Sequence, residues 1–154
     1  MTIILIVSSI LLDGVLSTYI TTTSFFLPLL TLTSLYLVYP YYKKREKIYK
    51  GLLILSGIVY DLLYTNLLFL HAIVFFLIGI LIQHIYKNYQ QNIVTKIIYL
   101  IVLIVVYESM LSLVFWIFKT TIVTIAKVLY KITHSLIINV IYVILLNPFI
   151  KIKS

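Results

Sequence analysis

The chain has 154 residues, of which 63% are hydrophobic and 10% are charged, and its mean hydropathy is +1.16. A soluble domain carries about 25% charged residues, so this composition excludes an ordinary soluble protein and predicts an integral membrane protein. The chain has no cysteine, which excludes disulfides and thiolate metal sites. The net charge of +8 comes from basic residues at the ends of apolar runs. This placement favours helix orientation and contact with anionic lipid over nucleic-acid binding.

Six apolar runs, taken in chain order, predict an all-α bundle of about six transmembrane helices in one domain, 1–154. The N-terminus lacks a basic region and a small-residue cleavage site, so the first run is expected to be retained as a span. A helix of about 18 residues rises about 27 Å, enough for a hydrocarbon core of about 30 Å. The predicted spans are 3–20, 25–42, 48–64, 67–86, 93–118 and 135–150.

Two connections between the predicted spans carry further information. Thr65-Asn66 interrupts an apolar stretch too long for one helix, and is expected to supply the turn and the N-cap of the fourth span. The stretch 119–134 is predicted to be an amphipathic helix at the interface or capping the bundle. The alternative is a count of five spans, since the last predicted span is short and this segment is amphipathic. On a helical wheel, the basic side of the 119–134 segment consists of Lys119, Lys127, Lys131 and His134.

The distribution of basic residues predicts the orientation of the chain in the membrane. A cytoplasmic N-terminus places nine Lys and Arg residues inside and three outside, a bias expected of short cytoplasmic loops. Both termini are therefore predicted to be cytoplasmic. The densest cluster is expected to anchor this topology, or to dock a cytoplasmic partner or anionic lipid. It consists of Lys43, Lys44, Arg45, Lys47 and Lys50.

Four polar residues inside the spans are predicted to share one depth. At about 1.5 Å per residue, Asp13, Asp61 and Glu108 lie roughly 16–18 Å from the cytoplasmic flank. Asn139 reaches a similar depth on the last span. Carboxyl groups inside a membrane are costly, so each should face protein or water and is a functional candidate. No basic residue is expected at that depth, so intramolecular salt bridges are not predicted.

Three interpretations of this polar layer remain open from the residues themselves. The layer is either hydrogen-bonded glue within the bundle, or a surface for another membrane protein's helix, or part of a proton or substrate path. The three histidines have no metal-ligand spacing, so no metal site is predicted. No phosphate-binding glycine loop or nucleophile motif is present, so neither a cofactor nor an enzymatic activity is predicted.

The stretch from Gly51 to His71, GLLILSGIVYDLLYTNLLFLH, resembles the core signature of the rod shape-determining MreD family. That signature has a glycine, an aspartate followed by two leucines, a small or polar turn and a second apolar helix. Tyrosines flanking the aspartate, here Tyr60 and Tyr64, are similar to the form found in Firmicutes-type bacteria. An early Asp13, the pair Tyr107-Glu108 and a late Asn139 are similar too. The chain departs after the turn, where Leu68-Phe69 stand in place of a frequent glycine.

The resemblance implies a non-enzymatic subunit of the bacterial cell-elongation machinery. Such a protein associates with MreC, a single-span protein with an external coiled coil. It helps couple MreB filaments to the wall synthase RodA and its transpeptidase. The resemblance gives Asp61, Tyr60 and Tyr64 a structural or partner-contact role, and gives Asp13 and Glu108 a supporting one. The family's fold also resembles the substrate-capture subunits of energy-coupling-factor vitamin transporters, which is the alternative function.

Overall fold

A computed structural model describes residues 2–20, 28–65, 68–89, 92–118, 124–148 and 150. The described residues form helices and turns without a strand, which confirms the prediction of an all-α membrane bundle. The connection between the first two predicted spans, 21–24, lies outside them, as do Asn66, Lys119, Lys151 and Lys153. The helices are α1 (Thr2–Ile20), α2 (Leu30–Tyr42), α3 (Glu46–Tyr64), α4 (Leu70–Asn88), α5 (Ile93–Ile117) and α6 (Ile125–Leu146).

Within the described part of the chain, three helices are long and apolar enough to cross a membrane on their own, namely α4, α5 and α6. The apolar stretch of α1 is shorter. Helix α2 has 13 residues, because residues 28 and 29 are not helical and Leu29 occupies its N-cap position; residues 25–27 of the predicted span lie outside the described residues. Helix α3 begins with Glu46 and Lys47, which lower its apolar content. The count of six spans therefore stays a prediction.

The last helix corrects one boundary that the sequence pattern predicted. Residues 125–134 and 135–146 form one continuous helix, α6, so there is no separate amphipathic helix ending at His134. No glycine or proline lies between Ile125 and Leu146 to interrupt the backbone hydrogen bonds. The amphipathic pattern of residues 125–134 therefore reflects a polar stripe on the first turns of a longer helix.

Helix α2 lies at the centre of the bundle. All of its residues from Leu30 to Tyr39 are buried, and it packs against α1, α3, α4 and α6. The hydroxyl of Tyr49 on α3 donates a hydrogen bond to the carbonyl of Leu35 at 3.0 Å, which ties α3 to this centre. Helix α5 packs against α4 and α6, so the chain wraps around α2.

Three polar contacts place the basic residues at one end of the bundle. The hydroxyls of Thr2 and Tyr42 lie 2.7 Å apart, joining the start of α1 to the end of α2. Glu46 at the start of α3 pairs with Lys87 at the end of α4 at 2.9 Å. At the start of α5, the ammonium of Lys96 donates to the side chain of Asn147, just after α6. Adjacent helices are thus antiparallel, as the six-span prediction requires.

Candidate functional site

Asp61 is the centre of the most extensively bonded polar group among the described residues. It is fully buried near the end of α3. Its Oδ2 accepts a hydrogen bond from the backbone amide of His71 at 2.9 Å. Its Oδ1 lies 2.7 Å from the His71 Nδ1 and accepts from the Thr65 hydroxyl at 2.9 Å. On the far side of the imidazole, Nε2 lies 3.0 Å from the hydroxyl of Tyr107 on α5.

This network joins three helices, and its geometry accommodates an arrangement of protons that satisfies every polar group. A neutral His71 with its proton on Nδ1 donates to the Asp61 carboxylate and accepts the Tyr107 hydroxyl at Nε2. Every polar group of the network then has a partner in a place where an unpaired one is costly. The Asp61–His71–Tyr107 network therefore fastens α3, α4 and α5 together.

The network corrects two expectations drawn from the sequence. A basic partner does lie at the depth of Asp61, because the turn returns the chain to the first turn of α4, where His71 stands. Thr65 does not supply the N-cap of α4, since the residue at that position is Phe69. A histidine just after a short turn, about ten residues beyond an aspartate, was the signal that could have revealed this pair. The prediction counted membrane depth along each helix separately, and so it did not place His71 beside Asp61.

Asp13 makes an equivalent arrangement between α1 and α2. Its Oδ1 accepts from the backbone amide of Leu30 at 2.8 Å. Its Oδ2 accepts from the amide of Thr31 at 2.9 Å and from the Thr31 hydroxyl at 2.6 Å. The first amides of a helix lack partners within that helix, so Asp13 caps the start of α2 from a neighbouring helix.

Asp61 caps α4 in the same way, and the local sequence explains why both helices need it. The N-cap positions of α2 and α4 are Leu29 and Phe69, and neither side chain can accept a hydrogen bond. A carboxylate near the positive end of the helix dipole satisfies the amides and is favoured electrostatically. Helices α5 and α6, by contrast, are capped by their own Asn92 and Thr124.

The tyrosines that flank Asp61 pack the same region. The ring of Tyr60 lies 4.7 Å from the His71 ring, measured between centroids. The hydroxyl of Tyr64 donates to the backbone carbonyl of Ile10 on α1 at 2.8 Å, and its ring covers Gly14, where a Cβ would collide with it. Both tyrosines therefore hold helices together within this chain.

Gly57 brings α3 and α4 into backbone contact one turn before Asp61. A Cβ at this position would collide with the backbone of Ala72. Gly57 therefore permits close packing of α3 against α4. Gly51 does not share that role, because a Cβ there would meet nothing within 4 Å.

Asn139 joins the last helix to the central one. The Thr33 hydroxyl donates to Asn139 Oδ1 at 2.7 Å, and the Asn139 amide donates to the Ser135 carbonyl at 2.8 Å. The hydroxyls of Ser34 and Tyr142 lie 3.0 Å apart beside it. Asn139 is therefore part of the contact between α2 and α6.

Glu108 differs from the two aspartates. Only 5% of its surface is exposed, yet it makes no hydrogen bond or ion pair with the described residues. Lys131 on α6 lies near enough to act on it electrostatically, without direct contact. Tyr107, the chain neighbour of Glu108, contacts His71 of the Asp61 network, which places Glu108 beside the layer that contains Asp61.

The other predicted residues lie apart from this layer. Of the basic cluster, Lys50 is half-buried and the others are exposed at the basic end of the bundle: Lys43, Lys44, Arg45 and Lys47. Among the residues that the structure describes, no group of three or more His, Asp or Glu side chains that could hold a metal is found. The geometry of the layer is that of hydrogen-bonded packing.

Comparison with known proteins gives one match. The family model described as rod shape-determining protein MreD matches residues 1–152, nearly the whole chain. No curated protein and no solved structure matches the chain. The likeness to vitamin-transporter subunits therefore stays a prediction.

Proposed function

The chain belongs to the MreD family of rod shape-determining proteins, and on that premise we propose that it is a non-enzymatic subunit of the bacterial cell-elongation complex. In this role it binds an MreC-like protein through that protein's single membrane helix. It thereby helps couple MreB filaments to RodA and its transpeptidase. It lies in the plasma membrane with both termini in the cytoplasm.

The observation that carries this proposal, beyond the family match, is the internal use of the polar layer. Asp13, Asp61 and Asn139 form hydrogen bonds with neighbouring helices of the same chain. Such a layer rigidifies a bundle and leaves these side chains unavailable to a small ligand. This favours a scaffold over the alternative of a vitamin-capture subunit, which the family match does not support.

The groove between α5 and α6 is the surface best suited to a partner helix. It has a volume of about 500 Å³, and its lining includes Ser109, Ser112 and Trp116. Small residues and hydroxyl groups favour helix association in membranes, because they allow close approach and hydrogen bonding. Glu108 precedes Ser112 by one turn on α5, but it is buried and does not line the groove.

Copurification tests the partner role. The full chain, expressed with an MreC-like protein, is expected to retain it through purification in mild detergent. Ser112→Leu fills the groove and should reduce the retained partner about tenfold, the effect of losing about 1.4 kcal/mol. Ser8→Leu, at an exposed serine of α1, is the matched control and should retain it. Failure of the unmodified chain to retain the partner would contradict the proposed function, and so would copurification of a vitamin-sized ligand.

Crosslinking tests the location of the partner helix separately. Because the chain contains no cysteine, a photo-crosslinker can be attached at one introduced position. A label on Ser112→Cys should form an adduct with the partner, while a label on Leu55→Cys, between α1 and α3, should not. If copurification succeeds and Ser112→Cys gives no adduct, the partner role stands and the α5–α6 groove is the wrong site.

A further inference from the structure

A second groove, between α1 and α3, differs from the first in its chemistry. Its volume is about 250 Å³. Every lining side chain is aliphatic except Ser56, whose hydroxyl donates to the carbonyl of Leu53 in its own helix at 3.0 Å. The groove therefore has no free hydrogen-bond donor for a bound molecule. Its walls include Ile3, Val7 and Leu11 of α1 and Leu55, Val59 and Leu63 of α3.

These walls suit an acyl chain better than a protein helix. Helix association in membranes depends on small residues and polar contacts, since lipid is as apolar as leucine. The groove has one small residue, and its hydroxyl is already bonded. A hydrocarbon chain needs neither feature, because it gains dispersion contacts along the whole aliphatic surface.

One end of this groove lies beside the exposed basic loop. Ile3 lines that end, and its neighbour Thr2 is hydrogen-bonded to Tyr42, directly before Lys43, Lys44 and Arg45. Those three cations form no ion pair with the described residues. The adjacent acid, Glu46, is paired with Lys87 instead. Three positive charges that have no ion-pair partner among the described residues thus lie at one end of the α1–α3 groove.

We propose that the α1–α3 groove and the 43–45 loop together bind one anionic phospholipid. The acyl chain lies between α1 and α3, and the phosphate headgroup meets the cations of the loop. Basic residues near a membrane surface attract anionic headgroups. The groove holds the acyl chain of one such lipid in place. The site is separate from the α5–α6 groove and does not depend on the proposed partner.

Native mass spectrometry of the purified full chain tests this site. The protein is equilibrated with an equal mixture of phosphatidylglycerol and phosphatidylcholine, and we expect one phosphatidylglycerol to be retained. The triple change Lys43→Gln, Lys44→Gln and Arg45→Gln should reduce its retention about tenfold or more. Val59→Trp, which fills the groove, should reduce it as strongly. Leu55→Phe, a smaller filling, serves if Val59→Trp does not fold.

Matched controls separate this site from general lipid attraction. Lys127→Gln with Lys131→Gln removes charge from α6, and Val105→Trp fills the other groove. Both should leave phosphatidylglycerol retention unchanged. Equal retention of the two lipids would overturn the proposal, as would unchanged retention in the folded groove variants. Competition by inorganic phosphate alone would also overturn it, since it would show a headgroup site without the acyl chain. A partner adduct from Leu55→Cys would show that a helix fills the groove.

Discussion

The first two helical hairpins and the third use their buried acids differently. In α1–α2 and α3–α4, the aspartate of the first helix caps the second helix through two or more hydrogen bonds. In α5–α6, Glu108 makes no such bond with the described residues, and α6 is capped by Thr124 instead. The third hairpin also keeps an open groove lined by serines, and α6 is the most exposed of the three apolar helices.

This difference teaches how to interpret a buried acid in a membrane protein. A carboxylate that satisfies the start of the next helix is explained by folding, and its loss should appear as instability. A carboxylate left without a hydrogen bond is not explained by folding within the chain. By this reasoning the first two hairpins form the scaffold, and the third presents the surface for a partner.

The largest effect is expected at Asp61. Asp61→Ala leaves the His71 amide and the His71 ring without their shared acceptor. Each buried orphan costs about 1–3 kcal/mol, so the free energy of unfolding should fall by about 3 kcal/mol or more. Chemical denaturation in detergent micelles, followed by circular dichroism, measures it. A loss below that of a surface substitution would show that the network does not fasten these helices.

Gly57 is expected to be the next most sensitive position in the α3–α4 hairpin. Gly57→Ala forces a methyl group into the backbone of Ala72, and overpacking of this kind costs about 1–3 kcal/mol. Gly51→Ala is the matched control on the same helix, in open space, and should be neutral or slightly stabilising. Equal unfolding curves for the two variants would argue against close contact of α3 and α4.

Asp13 tests whether the first hairpin behaves like the second. Asp13→Ala removes the cap of α2 and should lower the free energy of unfolding by about 2 kcal/mol, the upper part of the range for helix caps. Thr31→Val, which removes one donor of the same group, should cost less than Asp13→Ala. If Thr31→Val lowered the free energy of unfolding more than Asp13→Ala does, the hydroxyl contact would be more important than the cap.

A smaller effect of opposite sign is expected at Phe69. Phe69 is the one non-glycine residue with a positive φ in the described part of the chain, at 68°. A left-handed conformation costs a side-chain-bearing residue about 1–2 kcal/mol. Phe69→Gly should therefore stabilise the hairpin by about 1 kcal/mol. Leu68→Gly, next to it, is the control and should not raise the free energy of unfolding. An equal increase for both variants would argue against backbone strain at Phe69.

The sequence predicted most of the helices and the polar layer, for identifiable physical reasons. Long apolar runs define membrane helices, and the rarity of carboxyl groups within them made Asp13, Asp61 and Glu108 conspicuous. The pattern could not show which backbone amides each acid would meet, because that depends on how the helices pack. It also could not reveal that Phe69, the second residue of the Leu68-Phe69 departure from the family signature, has a left-handed backbone. The break expected before Ser135 was wrong because the polar stripe of α6 resembled a separate amphipathic segment.

The most direct test of the contrast between hairpins is a matched series of acid-to-amide changes. Asp13→Asn, Asp61→Asn and Glu108→Gln each preserve shape while replacing one carboxylate oxygen by an NH₂ donor. The account predicts that the first two lower the free energy of unfolding by about 1–3 kcal/mol each, because the new donor faces backbone amides. Glu108→Gln should stay within about 0.5 kcal/mol of the unmodified chain. A loss at Glu108 equal to that at Asp61 would contradict the distinction between the closed hairpins and the open one.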